Sequence, residues 1–280
     1  MSKYLNMISY YGGKFPHLLW LLSKFPKGKY HFVDIMCGAA NVALNVNYPL
    51  VTINDTNNEV MNLFRVLRDQ HDEFMRLVYF TPFSRAEHSS IVLAERNGEK
   101  FSDLERARRY FIKSQLGYGA NGSQNNHYGT GFEWQLHTSN YYRVDNWNFK
   151  LKKLANLVQH LRHFQIEQRD ALELFDDVNQ KGSFVYFDPP YLLALRKAKK
   201  RYTNEVADEF HYQLADKVQD AKCLVAISGY DSPLYDELFK GFYKVSDTPK
   251  SCNTGKIKTK ESLWTNYDTT KLSTQTKLKF

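Results

Sequence analysis

Short apolar runs that each stop at a polar or acidic residue, with helical patterns between them, constrain the fold of this chain more than any other feature. Residues 30–36, 50–54, 164–169, 183–187 and 223–228 are such runs. Strands buried on both faces read as near-continuous apolar stretches, and strands separated by helices return in the same direction. The pattern therefore predicts an α/β chain with a doubly wound, mostly parallel sheet. Leu18, Leu19, Leu21, Leu22 and Phe25 recur at helical spacing behind Pro16, which suits a first turn. Gly38 and a helical pattern over 39–47 follow the first run. Asp55 follows the second, then a helix carrying Val60, Leu63, Phe64 and Leu67, with Thr56 and Glu59 spaced for a capping box. Phe210, Leu214, Val218 and Ala221 predict a helix before the fifth run. Residues 242–246 and 261–267 predict a closing antiparallel hairpin around the basic stretch 249–260.

The alternation breaks over residues 70–163, where Leu104, Ala107 and Phe111, then Leu151, Leu154, Leu157, Val158 and Leu161, mark helices without strands between them. The expected organisation is 1–69 as the first part of a sheet domain, 70–163 as an inserted, mainly helical module, and 164–280 as the remainder. A length of 280 residues with 42% apolar content suffices for one large core and such an insertion. Gly and Asn dominate 117–131, which predicts an irregular loop. Trp, Tyr, His and Arg crowd 134–147, either as an aromatic mini-core beside a loop or as a nucleic-acid-reading surface. The net charge of +8 favours a polyanionic partner without requiring one. Cys37, Cys223 and Cys252, odd in number and without metal-type spacing, predict a reducing compartment, no disulfide frame and no metal site. No signal-like or membrane-length apolar stretch occurs, so a cytoplasmic protein is expected.

Ligands of such sheets bind beyond the carboxyl ends of the strands. Four of those ends carry polar groups: Asp34 to Gly38, Asp55, Asp170, and Asp188-Pro189-Pro190-Tyr191. An Asp that ends the second strand, after a glycine turn, is placed to accept from both hydroxyls of a ribose. Asp55 is that candidate, and its plainer reading as a carboxylate at a helix N-terminus is compatible. Gly38 is the one glycine of its turn, which supports backbone approach to a pyrophosphate poorly. A nucleoside cofactor without phosphates fits better, and S-adenosylmethionine is the candidate. Tyr10-Tyr11-Gly12-Gly13-Lys14 is placed to fold over it, with Lys14 near its carboxylate.

The tetrapeptide at 188–191 has chemistry of its own. Two prolines fix φ and remove two backbone donors, so the strand stops and its carbonyls sit in a rigid turn. An exocyclic amino group on a nucleobase delocalises its lone pair into the ring and becomes nucleophilic when acceptors hold its hydrogens. The Asp188 carboxylate and the Pro189 carbonyl are such acceptors, and the Tyr191 ring can stack on a base. A strand ending in a proline turn with a capping Asp is the competing structural reading.

Taken in order, Tyr10-Tyr11-Gly12-Gly13-Lys14, Phe32-Val33-Asp34-Ile35-Met36-Cys37-Gly38, Asn54-Asp55 and Asp188-Pro189-Pro190-Tyr191 resemble DNA adenine-N6 methyltransferases of the Dam type, the D12 class. Residues 261–267 resemble that family's closing strand. The resemblance implies a Rossmann-like fold, S-adenosylmethionine as cofactor, and site-specific methylation of adenine N6 in double-stranded DNA. It implies that Tyr10, Lys14, Asp34, Gly38, Asp55 and Asp170 line the cofactor pocket, with Asp170 on the adenine amino group. It also implies that Asp188 and the Pro189 carbonyl, held by Pro190, take the target N6 hydrogens while Tyr191 stacks on the base. Met36 stands where the family has Phe, and Ala40 where it has a second glycine.

A duplex buries the adenine amino group, so the nucleotide must rotate out at a cost of roughly a few kcal/mol. Arg196, Lys197, Lys199, Lys200 and Arg201 follow the tetrapeptide without an acid among them and are the candidate DNA contacts; Lys250, Lys256, Lys258 and Lys260 form a second basic group. Either group also reads as a solvated loop. Transfer is expected to be direct, since positioning the amine supplies most of the acceleration. No Pro-Cys nucleophile for cytosine C5 is present. The alternatives are an N4-cytosine methyltransferase and a silent cofactor- or DNA-binding protein of the same fold. A restriction endonuclease partner, the DNA site and the oligomeric state stay open.

Overall fold

The computed structural model describes residues 4–10, 12–28, 30–117, 131–133, 143–191, 208–251 and 258–272. Among these residues the strands are β1 (His31–Asp34), β2 (Leu50–Asn54), β3 (Phe164–Glu167), β4 (Ser183–Phe187), β5 (Leu224–Tyr230), β6 (Tyr243–Ser246), β7 (Lys250–Ser251), β8 (Lys258–Thr259) and β9 (Glu261–Thr265). The helices are α1 (Leu18–Lys24), α2 (Asn58–Asp69), α3 (His71–Tyr79), α4 (Arg85–Arg96), α5 (Asp103–Leu116), α6 (Arg143–Leu161), α7 (Ala171–Val178), α8 (Asp208–Gln219) and α9 (Pro233–Leu238). One sheet runs β3-β2-β1-β4-β5-β9-β6 and β7 pairs with β8 apart from it. β1 to β5 pair in parallel; β9 runs antiparallel between β5 and β6. This is the doubly wound, mostly parallel arrangement with a closing antiparallel hairpin that the sequence pattern predicted, and the Rossmann-like fold that the resemblance implied.

Strand side chains alternate between faces, so each strand feeds two cores. Phe32, Ile53, Phe184 and Tyr186 lie on one side with α1, α2 and the helices of the middle segment, whose Phe74, Ile91, Phe111, Trp147 and Leu154 are buried in the same cluster. Val33, Ile35, Val185, Phe187, Val225 and Ile227 lie on the other with Leu174 and Phe175 of α7, Leu214 and Val218 of α8, and Tyr235 of α9. Among the described residues, Trp147 of the aromatic segment is buried and packs its ring 6.0 Å from Phe111.

Three local readings are corrected. Residues 39–47 make a single 3-10 turn, Ala43–Asn45, and not a helix. The Ala43 N–H donates to the buried Asp34 carboxylate at 3.3 Å, and the Asn45 side chain is tied to Leu5 through both Oδ1 and Nδ2. Within the segment Leu44 N–H still reaches Ala40 C=O and Asn45 N–H reaches Val42 C=O, but the ladder stops there because Ala43 and the Asn45 side chain bond Asp34 and Leu5. The cap of α2 is Asn57, which accepts from the N–H groups of Glu59 and Val60, not Thr56. Ala221 falls beyond the end of α8. Among the described residues no helix is long and apolar enough to cross a membrane.

Candidate active site

The strand order reverses between β1 and β4, because the chain leaves β1 towards β2 and β3 and later returns to β1's other side. Loops after those two strands diverge and leave a crevice, the place where open α/β sheets hold ligands. Here the crevice is a cavity of about 740 Å³ including its open mouth, lined on one side by Tyr10, Gly13, Asp34, Gly38, Asn41 and Asp55, and on the other by Tyr186, Asp188, Pro189 and Pro190.

The β1 side is built by backbone. Gly38 has φ +48°, and a Cβ there would sit 2.8 Å from the Tyr10 ring, so glycine is required both for the turn and for the ring that covers it. Ala40 adopts φ +50° at the position where the resemblance noted a glycine, a strained choice for a residue with a Cβ. Asp55 is clamped from two sides: Gly38 N–H donates to Oδ2 at 2.9 Å and Asn57 N–H to Oδ1 at 2.8 Å. Burial pushes its carboxyl up, and those two bonds hold it back. Burial drives Asp34 further, well above the usual carboxylate range, with the Asp188 charge adding to the effect. Asn54 ties the strand ends together, donating to the carbonyls of Ile35 and Arg169 and accepting from Arg169 N–H.

The β4 side is built by side chains. Lys14, 3% exposed, donates to Asp188 Oδ1 and to the Tyr191 hydroxyl, both at 2.7 Å, and lies 3.2 Å from Glu261 Oε1. Burial pulls the lysine down, but Asp188 and Glu261 outweigh it and hold Lys14 well above its ordinary range, so it keeps its proton. Ser228 also donates to Asp188 Oδ1, at 3.0 Å, and Ser228 and Tyr186 share a hydrogen bond of 2.8 Å. Burial raises the Asp188 carboxyl, and the neighbouring ammonium limits the rise. Tyr191 donates to Glu261 Oε2 at 3.1 Å and lies flat on Tyr230, ring centroids 3.7 Å apart and planes 3° from parallel.

Of the residues singled out by sequence, Tyr10, Lys14, Asp34, Gly38, Asp55, Asp188, Pro189 and Pro190 line this one cavity, and Tyr191 adjoins it through Lys14. Asp170 does not line it; its Oδ1 caps α7 by accepting from Leu172 and Glu173 N–H. Lys14 donates to Asp188 and Tyr191 and lies 3.2 Å from Glu261 Oε1, so its ammonium is turned to the tetrapeptide and the closing strand rather than standing ready for a cofactor carboxylate. Arg196, Lys197, Lys199, Lys200 and Arg201 lie outside the described residues, as does Lys256. Lys260 pairs with Asp231 at 2.7 Å. Sequence reasoning missed Asn41, Ser228, Tyr230 and Glu261. For Glu261 a signal existed, since an acid opening the apolar strand Glu-Ser-Leu-Trp-Thr needs a buried partner.

A nucleoside cofactor fits these residues. The carboxylate of Asp55 is fixed and acceptor-only, the Gly38 turn is backbone-lined, and buried Asn41 Oδ1, on the cavity wall, lacks a hydrogen-bond partner among the described residues. Among the described residues the one ammonium lining the cavity is that of Lys14, already paired with Asp188, so the described wall offers no unpaired cation to a phosphate chain.

A backbone-lined glycine turn that fixes Asp55 and a proline turn that carries Asp188 meet at the switch point of a doubly wound sheet, the arrangement of a group transferase that uses a nucleoside cofactor. The family described as D12 class N6 adenine-specific DNA methyltransferase matches residues 10–250, most of the 280-residue chain, and the chain belongs to that family. It is thus an enzyme that carries the methyl group of S-adenosylmethionine to the N6 amino group of adenine in DNA. This sets aside the cytosine-N4 and silent-protein alternatives. Type II methyltransferase M1.LlaDCHI of Lactococcus lactis is 27% identical, over 91% of this chain and 93% of that protein. The DNA adenine methylase of Escherichia coli is 24% identical over 86% of each. A SAM-dependent methyltransferase structure from Agrobacterium tumefaciens, 12% identical, covers 91% of this chain and 62% of its own at a TM-score of 0.40.

Proposed function

We propose that the target adenine is turned out of duplex DNA into the cavity, where Asp188 and the Pro189 carbonyl take its N6 hydrogens and Tyr191 stacks on its ring. The observation that carries this reading is that Asp188 opens, 19% exposed, onto the same cavity as Gly38 and Asp55. Lys14 and Ser228 both bond Asp188 Oδ1, so Oδ2 is the oxygen for the amine. S-adenosylmethionine, when bound, supplies a methyl group already activated on a sulfonium. The carboxylate directs the nitrogen lone pair at that methyl and receives the proton that nitrogen sheds on forming the new bond; no covalent enzyme intermediate is involved.

On the cofactor side, Asp55 accepts from the ribose hydroxyls, Gly38 and Tyr10 cradle the nucleoside, and Asp34 and Asn41 face the amino-acid end; Asp170, outside the cavity wall, reaches the adenine amino group only if the cofactor extends past that wall. Lys14 belongs to both sides in sequence, but its proposed task is to hold Asp188 and Tyr191. The basic residues 196–201 contact phosphates beside the extruded base, and the segment 70–163 reads the DNA site. The Lactococcus relative is a Type II methyltransferase, which supports a restriction endonuclease as a partner system. The enzyme is proposed to work in the cytoplasm, where the free thiols of Cys37 and Cys223 stay reduced.

Expression in a host without adenine methylation, followed by sequencing for modified bases, is expected to show N6-methyladenine in one sequence context. Asp188→Ala is expected to lose that mark, with a roughly hundredfold or greater fall in kcat, while calorimetry finds cofactor affinity within about tenfold of wild type. Methylation by the variant at a near wild-type rate removes Asp188 from the reaction.

A further inference from the structure

The closing strand pair does more than complete the sheet. Tyr230, the last residue of β5, and Glu261, the first of β9, are partners in the antiparallel register. Register partners project on the same face, and here both reach one side chain, Tyr191. Tyr230 covers a face of the ring at 3.7 Å, and Glu261 accepts from its hydroxyl at 3.1 Å. Glu261 is 1% exposed, an expensive place for a carboxylate unless its contacts are used. The two residues grip a ring whose backbone is already set by Pro189 and Pro190. The ring is thus held by its backbone, its face and its hydroxyl before any substrate is present.

We propose that Tyr230 and Glu261 are positioning residues for base capture, acting through Tyr191 by fixing the plane on which the extruded adenine stacks. This rests on the reading of Tyr191 as the base-stacking residue. A platform that is already ordered loses no side-chain freedom when the base arrives, so the pair serves capture of DNA rather than cofactor binding. The base is proposed to take the face opposite Tyr230; the ring is 9% exposed and the Lys14 ammonium lies over it, 4.6 Å from the centroid, so that face has to open as the base enters, while Tyr230 stays in place as the backing layer.

The test is kinetic, with full-length enzyme, S-adenosylmethionine and a DNA duplex carrying the methylated site. Tyr230→Leu is expected to lower kcat/KM for DNA by roughly two- to tenfold, the scale of one aromatic pair, with cofactor Kd unchanged by calorimetry. Tyr230→Phe, which keeps the stack, is expected to restore the wild-type value, and Glu261→Gln to lower kcat/KM for DNA with the same unchanged cofactor Kd. In a Tyr191→Ala background, itself impaired, Tyr230→Leu is expected to add no further loss, because the effect runs through the missing ring. The proposal is overturned by an unchanged Tyr230→Leu, by a full additional loss in the Tyr191→Ala background, or by a gain in kcat/KM, which would mean that Tyr230 occupies the place of the base. If Tyr191→Ala alone keeps wild-type kcat/KM, the stacking role of Tyr191 fails and this proposal with it. A normal Tyr230→Leu beside an impaired Tyr191→Ala overturns only the proposal.

Discussion

Lys14 meets Asp188, Tyr191 and Glu261 at 2.7, 2.7 and 3.2 Å, so one buried ammonium stands among acceptors drawn from two strand ends, those of β4 and β9. It compensates part of the charge of both carboxylates, and burial still wins at Glu261, whose carboxyl is pushed up to about 7. An acid raised in the folded state favours folding while protonated; its cost begins above the unfolded value and is complete above the folded one. Glu261→Gln imitates the protonated form. It is expected to match wild type in stability near pH 4.5 and to exceed it near pH 8, by at most about 3 kcal/mol. Thermal melts across that range check the sign, and an advantage that shrinks as pH rises refutes it. At Asp55, whose two oxygens are already oriented by Gly38 and Asn57, removal of the carboxylate is expected to act on the cofactor. Asp55→Ala should raise the S-adenosylmethionine Kd on the order of ten- to a hundredfold, since hydrogen bonds to charged groups are worth roughly 1.5–3 kcal/mol each. Unchanged affinity in calorimetry excludes the ribose role.

At the scale of elements, the turn after β1 is the most demanding piece. Gly38→Ala places a side chain at φ +48° and a Cβ 2.8 Å from the Tyr10 ring. The left-handed backbone alone costs about 1–2 kcal/mol, and the ring must shift from the cavity wall. A lower melting temperature together with weaker cofactor binding is expected; loss of stability with unaltered cofactor Kd would detach Tyr10 from the site. The same turn shows where local patterns mislead. Residues 39–47 have helical spacing, yet Ala43 N–H goes to the Asp34 carboxylate and Asn45 to Leu5, contacts that no local window contains. The strands were legible because burial on both faces leaves a continuous apolar run, and the end of β4 because two prolines stop a ladder whatever surrounds them.

For the whole molecule, the excess of 38 basic over 30 acidic residues sets the expected behaviour towards DNA. Binding through phosphate contacts releases counterions, so the logarithm of KM for DNA is expected to rise linearly with the logarithm of salt concentration. Cofactor Kd, measured in the same buffers, is expected to vary little. A flat salt response for DNA would take the basic groups out of the contact surface. The middle helices enter the core of the sheet through Phe74, Phe111 and Leu154, so changes in the segment 70–163 are coupled to the stability of the sheet.

Sequence alone determined the parallel sheet, the polar groups at its strand ends and the proline stop at 188–191, because periodicity, proline and glycine act over a few neighbouring residues. Only tertiary structure decided that Lys14 faces Tyr191, 177 positions away, rather than a cofactor carboxylate, and that Glu261 and Tyr230 close on the same ring. Such pairings depend on burial, which makes an unpartnered charge costly, and on strand register, which chooses the partner; neither is written in any single stretch of chain.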